Sequence, residues 1–282
     1  MNNETATALI LGGTGRTGSL LTTKLSSGGV RTRTAARHAA DVRFDWDDPS
    51  THADALAGVD RLYLVTPVLR VTYADQVARF LDQAETAGVR HVTFLSTYNA
   101  DHAPSGIDIA TVETDLAARP AITHSILRPA WVMQNFADNH LPLIGGVITA
   151  PSGGATEAFV DAEDIAAVAA ETLLHPYAHA GETYTLTGPE ALSFSEAADI
   201  IAAVSGRPVR YDDIDQETWI GGALAAGVPA DYAVMLRWLT GAIIAGHGST
   251  PTADIEKVTG RPPTSFRSFA ERNADTWKLV QT

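Results

Sequence analysis

The 282-residue sequence predicts an α/β protein: a doubly wound parallel sheet followed by a smaller, mostly helical unit. Three observations carry this reading. Short apolar runs alternate with amphipathic helical segments through the first half, and parallel strands need helical crossovers of that kind, wound right-handed. The first apolar run ends in Gly12-Gly13-Thr14-Gly15-Arg16-Thr17-Gly18, with a helical pattern directly behind it. Past residue 188 the alternation gives way to helices separated by Gly and Pro breaks.

In order along the chain, Thr7 to Leu11 reads as a strand, and Leu20, Leu21 and Leu25 recur at helical spacing beyond the glycines. Val30 to Ala35 is the second strand, and Leu62 to Val65, after the Gly58-Val59-Asp60 turn, a buried third. Asp45-Trp46-Asp47-Asp48-Pro49 between them is a loop. Gln76, Val77, Phe80, Leu81 and Ala84 mark a helix that stops at Gly88, and His91 to Ser96 is the next strand. A helix from Ile107 to Ala118 is broken by Arg119-Pro120, and Thr123 to Leu127 follows as a strand. Asp161 and Asp164 open a helix from Ala162 to Leu174, where acidic groups suit the dipole, and His175-Pro176 closes it. Then come a strand from Thr183 to Leu186, a helix from Phe194 to Val204 capped by Ser193, and a strand from Val209 to Ile214. Helices over Trp219 to Ala226, Asp231 to Ala245 and Phe266 to Leu279 complete the chain. The pattern implies a Rossmann domain over 1–150, to which the 161–188 helix-strand segment returns, and a smaller substrate-binding domain over 189–282.

Composition removes several classes of function. There is no cysteine, hence no disulfide, thiolate catalysis or Cys-based zinc site. Thirty-three acidic against twenty basic side chains give a net charge of −13, which repels nucleic-acid backbones. The start, with Asn2, Asn3 and Glu4, carries neither a basic leader nor a spanning stretch. These features lead us to expect a soluble cytoplasmic protein, monomeric or a small homo-oligomer, acting on a small molecule and not on nucleic acid or membrane. His175-x-x-x-His179 has a zinc-like spacing, but Pro176 prevents a shared helical face and the companion glutamate is missing. A Gly-x-Ser-x-Gly nucleophile elbow is absent as well.

The glycine loop is the strongest motif. It parses as Gly13-x-Gly15-x-x-Gly18 and as Gly12-x-x-Gly15-x-x-Gly18, and either way places glycine where the chain turns tightly or approaches a phosphate. Backbone N–H groups at the start of the following helix then face a pyrophosphate. NAD enzymes usually place an acidic residue at the end of the second strand, and this chain offers Arg33, Arg37 and His38 there. A cation at that point favours a 2′-phosphate, so NADP(H) is expected over NAD(H), with Arg37 the first choice and Arg16 a second contact. Asp45 reads either as lining the adenine pocket or as a turn cap.

Several further stretches extend the pattern. The glycine loop, Phe44-Asp45-Trp46, Tyr63-Leu64-Val65-Thr66-Pro67 and Leu127-Arg128-Pro129-Ala130-Trp131-Val132-Met133-Gln134-Asn135-Phe136 resemble the NmrA-like branch of the atypical short-chain dehydrogenase/reductases. Phe159 to Ala166, Leu186 to Glu190 and Val258 to Pro263 follow in the same order, so the likeness spans nearly the whole chain and is strongest to the ergot-alkaloid (festuclavine and agroclavine dehydrogenase) type. The resemblance implies an NADP(H)-dependent reductase, with Thr66, Pro67 and Ser96 joining the glycine loop along the cofactor. One departure bears on chemistry: no tyrosine or lysine occurs between Asn99 and Leu116, so the Tyr-x-x-x-Lys pair of ordinary short-chain enzymes is missing. Reducing a ketone leaves an alkoxide that needs a proton, whereas reducing an iminium ion gives a neutral amine directly. Imines, iminium ions, enones and quinones are therefore the expected substrates, bound between Ser96-Thr97-Tyr98, Trp131, Met133, Phe136 and helices bearing Trp219, Met235 and Trp238. Ser96 and Tyr98 are the candidate hydrogen-bond donors. The alternative is a non-catalytic redox sensor that binds a dinucleotide and regulates a partner protein; an epimerase would want the absent Tyr-x-x-x-Lys pair.

Overall fold

The computed structural model describes residues 6–26, 28–138, 140–141 and 143–278. The polar stub Asn2, Asn3 and Glu4 and the expected helix end at Leu279 lie outside the described residues. In chain order the elements are β1 (Thr7–Leu11), α1 (Arg16–Ser26), β2 (Arg31–Ala36), β3 (Val42–Arg43), α2 (His52–Leu56), β4 (Arg61–Leu64), α3 (Ala74–Ala87), β5 (His91–Leu95), α4 (Ile109–Ala117) and β6 (Thr123–Pro129). They continue with β7 (Val147–Ala150), β8 (Thr156–Glu157), α5 (Ala162–Leu174), β9 (Glu182–Leu186), β10 (Leu192–Ser193), α6 (Phe194–Ser205) and β11 (Arg210–Asp213). Four more helices follow α7 (Gln216–Ala225): α8 (Ala233–Ile244), α9 (Asp254–Thr259), α10 (Phe266–Arg272) and α11 (Ala274–Lys278).

Two compact units result. The first holds the chain up to Val68, Thr72–Arg128 and Ala162–Tyr184; the second holds Leu69–Val71, Pro129–Asp161 and the chain from Thr185. A seven-stranded sheet runs in the order β3-β2-β1-β4-β5-β6-β9, and its ladders from β3 through β6 are all parallel. Strand order reverses between β1 and β4, and in doubly wound sheets the crevice beyond the strand C-termini at such a point is where ligands bind. β1 is buried throughout, so alternation is lost and the strand reads as a continuous apolar run. α3 ends where Gly88 turns left-handed at φ 98° and its N–H reaches the carbonyls of Ala84 and Glu85. α5 runs over the residues the sequence predicts. Its alanines are buried on nearly every side, and Glu163 is tied to Lys24 of α1 at 2.7 Å.

The first unit leaves the chain at Arg128, where the sequence reading carried it to 150. From Ala130 onward the backbone bonds elsewhere: Ala130 N–H to Leu186 O and Met133 N–H to Val160 O. The second unit is built on an aromatic core in which Phe136 meets Phe159 and Phe266 edge-on, each at 5.1 Å between ring centres. Asp161, fully buried, accepts from Gln134 Nε2 at 2.7 Å and pairs with Arg272. Ser193 and Glu196 form a reciprocal capping box at the start of α6.

Differences from expectation are local. The two-residue β3 and the five-residue α2 are too short to show a period, and β7, β8, β10 and α9 likewise fall in stretches read as irregular. The predicted last helix breaks at Asn273. That residue's side-chain amide donates to Phe269 O at 2.9 Å, competing with the helical ladder as short polar side chains do.

Candidate functional site

The glycine loop leaves β1 at the reversal point. Gly12 adopts φ +64°, a conformation other residues rarely take, and its carbonyl accepts the Gly15 N–H at 2.8 Å. A Cβ on Gly18 would stand 2.3 Å from Gly12 O, and one on Gly13 would stand 2.6 Å from Thr34 Cβ, so both positions need a bare backbone. At Gly15 a Cβ would meet only Gly12 O, at 3.1 Å. Thr14 and Gly15 are exposed, and α1 begins with Arg16. This arrangement fits a dinucleotide: a tight turn first, an open approach to the backbone next, and close helix-strand packing last. Under the loop Tyr63 is fully buried, beside Thr17, and burial raises its pKa.

Arg37 and His38 are exposed just beyond β2, while Arg16 is half-buried at the start of α1. Arg33 is engaged at Nη1 by the neighbouring helix. Its guanidinium donates to Ala55 O at 3.1 Å and Ala57 O at 2.7 Å, satisfying the C-terminal end of α2, an element the sequence did not reveal. Asp41 is the acidic residue nearest this edge, and its carboxylate is turned onto the Thr34 N–H and hydroxyl, both at 2.8 Å. Those bonds, the backbone one foremost, lower its pKa. Asp45 accepts the Asp47 N–H at 3.1 Å, a turn-capping contact. After β4, Thr66 is half-buried and Pro67 buried.

At the end of β5, Ser96 is 7% exposed and donates its hydroxyl proton to Glu113 Oε1 at 2.5 Å. Glu113, on α4, is clamped by Arg128 of β6, whose Nε meets Oε1 at 3.0 Å and Nη2 meets Oε2 at 2.5 Å. Arg128 Nη1 also reaches Asp101 at 3.1 Å, and the Glu113 contact is the main reason its pKa is raised. The expectation that Ser96 donates to a ligand is thereby corrected, since its one proton is committed to a fixed carboxylate. Tyr98 is half-buried two residues on. Sequence reasoning did not single out Glu113. The available signal was a charge on the apolar face that Ile109, Val112 and Leu116 define.

In the second unit Trp131 is half-buried, with its indole nitrogen enclosed and without a partner. Met133 and Phe136, expected against substrate, are 1% and 2% exposed inside the aromatic core, where packing accounts for them. Trp219 leans on the same core, Met235 is buried, and Trp238 is half-buried. Glu157, unremarked in the sequence, is 3% exposed; its Oε1 accepts the Trp131 backbone N–H at 3.3 Å, and burial pushes its pKa up to about 7. Of the histidine pair, His179 Nδ1 contacts the Tyr184 hydroxyl at 2.7 Å and His175 lies 3.7 Å from Glu171. Among the described residues no cluster of three His, Asp or Glu suits a metal ion, and no helix is long and apolar enough to cross a membrane.

Comparison with known proteins adds three findings. The model of the NmrA-like family matches residues 4–237. An uncharacterized oxidoreductase of Bacillus subtilis, YesF, is 36% identical over 97% of both chains, and festuclavine dehydrogenase easG of Aspergillus fumigatus is 29% identical over 96% of this chain and 99% of its own. Among solved structures, the NADPH-dependent quinone oxidoreductase QOR2 of Escherichia coli, complexed with NADPH, superposes with a TM-score of 0.79 at 24% identity, covering 94% of this chain and 99% of that one.

Proposed function

The chain belongs to the NmrA-like family, and from that premise we propose that it is an NADP(H)-dependent reductase delivering hydride to an imine, iminium ion, enone or quinone. The observation that carries this reading is the glycine loop, open at Thr14 and Gly15 and barred to side chains at Gly13 and Gly18. Its backbone N–H groups and the start of α1 would hold the pyrophosphate, with Arg37, and Arg16 from the loop, on the 2′-phosphate. The named relatives support the class of reaction: an oxidoreductase, a dehydrogenase and an NADPH-bound quinone reductase. NADPH, when bound, supplies the hydride.

The chain's own part is to bind and orient, because no Tyr-Lys pair stands on α4 and Ser96 has no proton to give. Substrates whose reduction ends without an alkoxide are favoured on that ground. Thr66 and Pro67 would flank the cofactor, and Tyr98 is the side chain of the first unit that would meet substrate. We further read the protein as a cytosolic monomer or small homo-oligomer, which light scattering on purified protein checks.

Fluorescence titration with NADPH and NADH, followed by a turnover screen of cyclic imines, enones and quinones, tests the proposal. NADPH binding with turnover supports it. Tight binding without turnover across the panel would favour the redox sensor, and no binding of either nucleotide would overturn the assignment.

A further inference from the structure

The parallel register of β4, β5 and β6 sets Arg61, His91 and Thr123 side by side at the N-terminal edge of the sheet, opposite the edge where the glycine loop leaves β1. Together with Asp60, Arg90 and the Pro176-Tyr177 turn behind α5 they line a cleft of about 300 Å³, open to solvent and lying wholly within the first unit. Its carboxylate, imidazole and threonine hydroxyl are already paired. Asp60 takes the Thr7 N–H on Oδ2 at 2.9 Å and Arg90 Nη2 on Oδ1 at 2.5 Å, His91 Nδ1 meets the Thr123 hydroxyl at 2.9 Å, and that hydroxyl donates to Arg90 O at 3.0 Å. Arg61 is different. Its Nη1 turns to Leu173 O and Leu174 O at the end of α5, and among the described residues nothing bonds its Nε or Nη2. Nor are those two nitrogens enclosed: among the described residues the enclosed side-chain polar atoms without a partner are Tyr63 Oη, Trp131 Nε1 and Ser205 Oγ. Burial is the main reason the Arg61 pKa is lowered, and the Arg90 charge adds to that.

The Nε–H and an Nη2–H of a guanidinium lie parallel on one edge, a fork that matches the two oxygens of a carboxylate. Elsewhere in the chain this edge is used in that way, by Arg128 on Glu113, Arg119 on Asp115 and Arg237 on Glu217. At Arg61 it opens on water. Next to Pro176, Tyr177 stands 84% exposed, a flat apolar surface that the core does not use. We propose that this cleft is a second ligand site, distinct from the nucleotide loop, and that it takes a small aromatic carboxylate: the carboxylate on the Arg61 fork, Arg90 adding charge at the mouth, and the ring against Pro176 and Tyr177. A chain of net charge −13 repels anions at large, so two arginines against one aspartate make this cleft a local exception. An inorganic phosphate would meet the fork and gain nothing from the ring surface, and a neutral aromatic would meet the ring surface and gain nothing from the fork.

Benzoate is the probe, titrated by calorimetry into protein saturated with NADP+ and compared with benzamide, acetate and inorganic phosphate. Benzoate is expected to bind saturably, and each of the other three at least about 10-fold more weakly, the range of one charge-assisted bond or one ring contact. Arg61→Lys keeps a cation for the α5 carbonyls and loses the fork, so it should weaken benzoate by about 10-fold. Tyr177→Ala, at an exposed position, should leave the urea midpoint unchanged and weaken benzoate by about 3- to 10-fold, with acetate and NADPH binding as in wild type. Should Arg61→Lys fail to fold, Tyr177→Ala decides alone. Absence of saturable benzoate binding would overturn the proposal, and so would benzoate binding that Tyr177→Ala leaves intact, which would put the ligand elsewhere on the protein. Phosphate or acetate binding as tightly as benzoate would overturn it too, since the cleft would then select charge without the ring.

Discussion

Glu157 should make the stability of this protein fall as pH rises through neutrality. The Gly248 backbone packs so tightly on the carboxyl that a Cβ there would stand 2.1 Å from Oε2, and Oε1 receives the Trp131 N–H at 3.3 Å. Burial, partly offset by that bond, moves its pKa from an ordinary 4.5 to about 7. The folded chain therefore holds a proton that the unfolded chain releases from about pH 4.5 upward. Stability is fully present below 4.5, is lost at roughly 1.4 kcal/mol per pH unit, and levels off above 7, for a total of about 3 kcal/mol. Glu157→Gln keeps the shape of the protonated acid without titrating. Urea unfolding of both proteins between pH 5.5 and 7.5 should show the glutamine variant gaining about 2 kcal/mol over wild type across that interval. His91 works in the other direction: burial lowers its pKa from 6.5 to about 3, so stability is lost as pH falls below 6.5. Its contribution is common to both proteins and cancels in the difference. Parallel wild-type and Glu157→Gln curves would refute the reasoning.

Three further outcomes are expected. Gly18→Ala should lower stability by about 1–3 kcal/mol, measured by urea midpoint, and abolish NADPH binding, because the new methyl would displace the loop from Gly12 O. Arg37→Asp should weaken NADPH by about 10- to 100-fold while leaving NADH nearly unchanged in the same fluorescence titration; equal losses would remove Arg37 from the phosphate site. Arg128→Met should cost about 3–5 kcal/mol in urea unfolding, since Glu113 would stay buried without its countercharge, and a change under 1 kcal/mol would mean that Glu113 finds another partner.

The sequence made the sheet legible wherever strands are buried on both faces, and α5 wherever its small residues continue without a break. It made the glycine loop legible because turn, open approach and close packing each demand the same residue. What escaped were features that depend on distant partners. Arg33 reads only as one of three cations at the strand end, because the α2 carbonyls that its Nη1 meets belong to a helix too short to announce itself. Ser96 reads as a donor until Glu113, seventeen residues on, takes its proton. Met133 and Phe136 carry a motif that suggests contact with substrate, yet apolar side chains in a motif fill a core as readily as they line a pocket.

Neither unit is a continuous stretch of chain, and this shapes how the protein is made. The sheet of the first unit takes its last strand from β9, at Glu182–Leu186, so the sheet cannot be completed until some two-thirds of the chain has left the ribosome. By then Pro129–Asp161, which belongs to the second unit, has already emerged and must wait for Phe194, Phe266 and Phe269 to cover its own phenylalanines. A fragment cut near residue 150 would leave Phe136 without Phe159, Phe194 and Phe266 to cover it and the sheet without β9, so it would not be a free-standing nucleotide-binding domain.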